Sequence, residues 1–170
     1  MKEARAMTEL RAIAGGAGAV RRKEFHDQSG GAIVIAFVMK DQFDTWLRPR
    51  AERGERTAKK LLNGLYGSEI DLREGATHKC LFCDDRCSKD NPPGATVLIQ
   101  PDNEEAPPAL GCGYFVCRAC AQPRDDLKDR VLARFRTPGA GFSHIRTARV
   151  LTAQGEESVP LLGLQRPTST

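Results

Sequence analysis

Six cysteines fall in two short windows of this chain. "HKCLFCDDRC" (78–87) carries Cys80, Cys83 and Cys87 behind His78, and "GCGYFVCRAC" (111–120) carries Cys112, Cys117 and Cys120. Thiols at that density can crosslink, cycle between redox states, attack a substrate or clamp a metal, and their spacing separates these chemistries. Cys80-x-x-Cys83 and Cys117-x-x-Cys120 each leave a two-residue gap, over which a tight turn brings the two Cβ atoms together and aims both sulfurs at one centre. Two such pairs supply the tetrahedral S₄ shell that Zn²⁺ takes in closed structural sites. The stretch between the pairs is longer than the roughly 15–20 residues of common finger spacings, so the intervening chain must fold back on itself.

The remaining donors are looser alternatives. Cys83-x₃-Cys87 and Cys112-x₄-Cys117 could each replace a ligand pair, and His78 is a further substitute. Otherwise Cys87 and Cys112 are small residues beside the shell, and a second metal would need more donors than lie nearby. Redox chemistry needs one CxxC at a helix start inside a βαβ frame; Cys117 and Cys120 have that local setting, but the frame is missing. A catalytic metal keeps an open position, and four sulfurs leave none. The Asp-His pair of an HNH nuclease is absent between the clusters, His144 being the first histidine after Cys120, and the H-x-E…P-C-x-x-C deaminase pattern is absent too. Asp84 and Asp85 read as a solvated loop pair.

The elements that must hold these thiols can be read from periodicity. "AIVIAFVM" (32–39) is a β-branched run between glycines and a charged pair, a buried strand. Asp41 is a candidate N-cap for "QFDTWLRPRAERGERTAKKLLNGLYG", which predicts a helix bent at Pro49 and ending near Gly64 or Gly67, with Phe43, Trp46, Leu47, Leu61, Leu62 and Leu65 inward. Residues 68–79 form a polar connection. "ATVLIQP" (95–101) predicts a strand, "DNEEAPPALG" a loop, and "GYFVC" a returning strand carrying Tyr114 and Phe115 beside the cluster, one of them packed over the metal shell. Leu127, Val131, Leu132 and Phe135 mark a helix, with Cys117 and Cys120 immediately before it or in its first turn, where the dipole stabilises thiolate. A short strand follows in "HIRTARVLTA", and from Gln154 the Gly/Glu/Ser/Pro/Thr composition predicts a frayed tail.

Knuckle, hairpin, then a helix bearing the second pair: over residues 78–136 this order resembles the treble-clef group of zinc folds, which implies a fold and a metal but little about activity. The resulting organisation is a flexible N-terminal segment (1–23), a strand–helix portion (24–77), a Cys₄ zinc module (78–136), a short strand (137–152) and a disordered tail (153–170). The fold class is α+β, with the strand–helix portion packed on the zinc module.

Composition narrows the function further. With 40% hydrophobic and 6% aromatic residues among 170, the core is modest, and a metal staple would add to it. The first eleven residues are charged throughout and no apolar stretch approaches the roughly 20 residues of a membrane helix, so a soluble, cytoplasmic protein without membrane association is expected; reduced thiols there favour metal over disulfides. "RPRAERGERTAKK" holds Arg48, Arg50, Arg53, Arg56, Lys59 and Lys60, a candidate phosphate-binding helix face. Its plainer reading is a solvated face with Glu52–Arg56 and Glu55–Lys59 pairs. "GGAGAV" (15–20) lacks a phosphate loop's strand and Lys-Ser/Thr and reads as a linker; His26 and His144 have no partner at catalytic spacing. The leading function is a non-enzymatic, Zn²⁺-holding interaction protein that contacts nucleic acid or a protein partner in a regulatory role, with no small-molecule substrate inferred. A divergent HNH-like metal-dependent nuclease and a thiol redox protein are the alternatives.

Overall fold

The strand over Ala32–Met39 (β1) alternates between two cores: Ile33, Ile35, Phe37 and Met39 enter one, and Val34, Ala36 and Val38 enter the other. A strand buried on both faces must lie inside a sheet rather than at its rim. The computed structural model describes residues 25, 27–39, 43–106, 111–136 and 145–161, with the side chains of Phe43 and Asp44 excepted. In it β1 is the third of five strands. It pairs antiparallel with β4 (Ala95–Pro101), which carries β5 (Cys112–Val116) on its far side, and parallel with β6 (Thr147–Thr152), which carries β7 (Gly155–Pro160); the order is β5-β4-β1-β6-β7. Helices and strands thus share one mixed α+β body. The strand–helix portion and the cysteine-bearing portion are two parts of one sheet, because β1 sits between β4 and β6.

The helical segment differs from its predicted course. A π-helical turn at Phe43–Leu47 runs into α1 (Arg48–Glu52), so Pro49 occupies the first turn, where its missing N–H leaves no bond unmade. The break comes instead at Gly54, whose φ of +96° ends α1. The next helix, α2 (Arg56–Arg73), runs through Gly64 and Gly67 and takes in half of the stretch predicted as a polar connection. Gly67 is buried, and Ala58, Leu61 and Leu65 of α2 pack with Trp46 and Leu47 on the sheet face that carries Val34, Ala36 and Val38. Packing outweighs the helix penalty of a glycine, about 1 kcal/mol. Gly75, at φ +100°, caps the end by donating to the Leu72 carbonyl at 3.0 Å.

Two more corrections concern the C-terminal half. The last helix, α3 (Leu127–Arg136), begins after a 3₁₀ turn at Arg124–Asp126, so Cys117 and Cys120 lie on a separate turn and not in its first turn. The helix-dipole argument for those thiolates therefore does not apply. The segment predicted as a tail from Gln154 is in part a strand: β7 hairpins back on β6 across Thr152–Gly155, with Gly155 at φ +134°, and Leu161 behind it is buried. Its Glu and Ser side chains face solvent while the backbone makes the ladder, which is why composition reads as disorder; charges on such a rim also discourage pairing with other chains. The predicted flexible N-terminal segment with its linker (1–23), the Asp41 cap, His26, His144 and residues 162–170 lie outside the described residues, as does the Phe43 side chain.

Candidate metal centre

Two turns build the site. In the first, β2 (His78–Lys79) pairs with β3 (Arg86–Cys87), closing a hairpin whose tip spans Cys80–Asp85; the Cys80 amide donates to the Asp85 carbonyl at 2.8 Å. Within the tip the amides of Phe82 and Asp85 point at the Sγ atoms of Cys80 and Cys83, each at 3.4 Å. In the second, β5 delivers Cys117, and the chain turns so that the Ala121 amide donates to the Cys117 carbonyl at 2.9 Å and the Cys120 amide meets Cys117 Sγ at 3.5 Å. The turns are stitched together by the Leu81 amide on the Phe115 carbonyl (2.9 Å) and the Cys117 amide on Cys80 Sγ (3.4 Å).

The four Sγ atoms of Cys80, Cys83, Cys117 and Cys120 consequently lie within 4.8 Å of one another, Cys83 to Cys117 at 3.8 Å. Four sulfurs at about 2.3 Å from one ion stand about 3.8 Å apart along the edges of their tetrahedron, so the cluster needs only sub-ångström closing to hold a metal ion. No disulfide links any of the six cysteines. Burial raises the Cys80 thiol, but the Cys117 and Phe82 amides outweigh it and bring its pKa down to about 7. Burial and the neighbouring sulfurs push Cys120 up. Sulfurs this close cannot all ionise unaided, and a divalent cation at their centre is the charge that would let them.

The other predicted donors stand apart from the four. Cys87, fully buried on β3, has its thiol pushed up to about 12 by desolvation and by the nearby thiolates, and behaves as core. Cys112 is likewise in the core, opposite Ile99. His78 Nε2 lies 2.5 Å from Asp71 Oδ2 on α2, and its ring sits 5.4 Å from Phe115. Tyr114 packs instead on Phe135 of α3, 5.4 Å between ring centres. Asp84 is paired with Lys79 at 2.9 Å, which holds its carboxyl below the usual range, and Asp85 receives the Arg86 amide, so both serve the loop.

Arg130, three residues into α3, had no sequence signal. Its guanidinium donates to the carbonyls of Cys120 (2.6 Å) and Pro123 (3.2 Å), meets Asp126 at 2.9 Å, and lies 5.4 Å over the Phe82 ring. One side chain thereby holds both turns, and only tertiary structure brings it there. Gly94 was also silent: a Cβ there would sit 2.9 Å from Arg118 Cα and 2.9 Å from Ala121 Cβ, so the turn before β4 fits the second cysteine turn only without a side chain.

The basic segment is largely engaged within the molecule. Arg50 pairs with Glu55 (2.7 Å) and Glu156 (3.3 Å), Arg56 with Glu105 (3.3 Å), and Arg48 donates to the Tyr66 hydroxyl (3.4 Å). Lys60 caps the carbonyls of Asn103, Glu104 and Ala106. Arg53 and Lys59 are exposed. Because Gly54 splits the helix, Glu55 turns to Arg50 in place of the predicted i,i+4 partner Lys59.

No helix among the described residues is long and apolar enough to cross a membrane. No protein-family model matches the chain, and neither a curated protein nor a solved structure matches it.

Proposed function

We propose that the protein is a non-enzymatic interaction module in which Cys80, Cys83, Cys117 and Cys120 hold one Zn²⁺, locking two turns against the sheet so that a partner meets a fixed surface. One observation carries this reading, the convergence of four sulfurs from sequence-distant turns. A shell of four thiolates suits Zn²⁺, which tolerates tetrahedral sulfur and brings no redox chemistry, and it leaves no position for substrate. The ion's part is structural: it neutralises the thiolates and adds binding free energy to the fold. The partner is a protein or a nucleic acid. The basic segment is the weaker candidate for contact, since Arg50, Arg56 and Lys60 already serve intramolecular partners. A cytoplasmic setting, where thiols stay reduced, agrees with this role.

The test is metal analysis of purified protein together with serine substitution of each cysteine. One zinc per chain, lost on substitution of any of the four and kept in Cys87→Ser and Cys112→Ser, is the expected result. Zinc-free protein with a reversible Cys117–Cys120 disulfide would establish the redox alternative instead.

A second reading, a divergent HNH-like nuclease, draws on the Asp71–His78 pair, which has the form of a base with its orienting carboxylate. The pair joins α2 to β2, and the Cys₄ group is the one cluster of metal-binding type among the described residues, so no separate ion site accompanies it. Magnesium-dependent nicking of plasmid DNA that disappears in His78→Ala would favour the nuclease.

A further inference from the structure

Between α2 and the turn before β4 the surface opens into a groove of about 380 Å³, within the range of sites that engulf a ligand group. Its floor is apolar, formed by Val38, Leu65, Leu72 and Phe115 where the two cores meet; Pro92 and Pro93 form one wall. The same prolines and Gly94 border a second depression, beside Arg118, Gln122 and Arg124 at the second cysteine turn. We propose that this groove docks an extended peptide segment of a partner protein, seating a large apolar side chain on the floor with acidic residues on either side of it. The proposal deepens the interaction-module reading and rests on it.

Charge selects the occupant. Arg73 and Lys89 line the groove and Arg118 the second depression beside it; all three are exposed, and among the described residues none has an ion-pair partner. Glu69 is the single acidic lining residue against four cations, Arg124 beside Arg118 being the fourth. A cationic rim around an apolar floor is complementary to an apolar anchor between carboxylates. Nucleic acid fits less well: single strands need exposed rings on which bases stack, yet Phe115 is 4% exposed, and Tyr66, the large exposed apolar residue among those described, is outside the groove.

The groove is also built in advance. Gly94 lies against Arg118 and Ala121 and donates to the Val116 carbonyl at 2.8 Å, and two consecutive prolines with fixed φ precede it, so the wall is tied to the second cysteine turn. Less ordering is then needed on binding. Arg118 lies between Cys117 and Cys120, so the metal reading and the groove share a turn.

The experiment selects random twelve-residue peptides displayed on phage against the zinc-loaded full chain, then synthesises the consensus. Expected is enrichment of Leu, Ile, Phe or Trp flanked by Asp or Glu. The consensus peptide should perturb the amide resonances of Lys89, Ala95 and Thr96, and Arg73→Glu/Lys89→Glu should weaken it about tenfold or more with melting temperature and zinc content unchanged. No enrichment over the double variant, a basic consensus, or equal binding to both proteins overturns the proposal. So does a (dT)₁₂ oligonucleotide that moves the same amides while the peptide moves none, which would assign the groove to nucleic acid. Zinc content is read on the same samples: full zinc without peptide binding sinks the groove alone, whereas protein without zinc sinks the metal reading.

Discussion

Gly94→Ala is the substitution that most directly joins sheet to metal centre. The added methyl would lie 2.9 Å from Arg118 Cα and 2.9 Å from Ala121 Cβ, and neither atom belongs to a flexible side-chain end. Carbon atoms settle about 3.5–4.0 Å apart, so one partner must yield by roughly 0.6–1 Å. If the turn before β4 retreats, the Gly94 amide loses its 2.8 Å bond to the Val116 carbonyl. If the second cysteine turn retreats, Cys117 and Cys120 are carried with Arg118, whereas metal–sulfur distances tolerate only about 0.2 Å. Overpacking of this kind costs about 1–3 kcal/mol, and part of it should appear as weaker zinc binding. Gly75→Ala is the control: at φ +100° with nothing within 4 Å, it meets backbone strain alone, about 1–2 kcal/mol, and presses on neither cysteine turn. Urea unfolding at saturating zinc, paired with chelator competition, separates the two. Both variants should unfold at lower urea, and only Gly94→Ala should surrender zinc to a weaker chelator. Wild-type zinc affinity in Gly94→Ala would refute the link between the close approach and the metal centre.

Cys87→Ser should keep full zinc yet cost about 1–3 kcal/mol, because a hydroxyl replaces a thiol at a fully buried site; Cys117→Ser should lose zinc, and atomic emission beside a melting curve distinguishes them. Lys60→Met removes the donor shared by the carbonyls of Asn103, Glu104 and Ala106, so stability should fall by about 1–3 kcal/mol and amide exchange should quicken over 103–106. Glu156 is raised by burial, but its contacts with Arg50 and Arg149 win and hold its carboxyl below the ordinary 4.5. A depressed folded value means stability that is present above pH 4.5 and lost as pH falls through the folded value, so Glu156→Gln should flatten the acid limb of a urea-midpoint-against-pH curve.

How much of this was legible follows from where each signal is stored. The four sulfurs were readable because CxxC is a local turn geometry, repeated at both ends of one hairpin path, and their convergence follows from local turns plus a strand pair that is itself apolar enough to recognise. The strands Ala32–Met39, Ala95–Pro101 and Cys112–Val116 were readable for the same reason: β-branched or apolar runs between glycines and prolines. What was lost is tertiary. Gly64 and Gly67 look like stops until the packing of Leu61, Leu65 and Leu72 on the sheet, which carries α2 past them, is known. Gly155–Pro160 looks like a tail because its side chains are solvated and its stability lies in backbone pairing to Thr147–Thr152. Arg130 and Asp71, which hold the two turns and His78, lie on helices whose polar positions carry no local mark. The burial of β1 was legible in its apolar run, but its parallel partner was not, because that strand arrives more than a hundred residues later.

That long return gives an ion held by the four sulfurs a place in the fold. Everything between β1 and β6 must be closed into a loop before their parallel ladder can form, and closing long loops is the entropically costly step of such folds. The cysteine centre lies inside that loop and joins its halves early in sequence terms, linking the turn after α2 to the turn after β5. It also guards the rim: β5 is the last strand on its side, and the Leu81 amide at the tip of the first turn takes up the Phe115 carbonyl there. The opposite rim, β7, carries Glu156 and Glu157 and is protected by charge. The apolar rim, bearing Phe115 and Val116, has no charge of its own, so the cysteine turn covers it, and a single ion would bind together the loop that is hardest to close and the edge least able to face water.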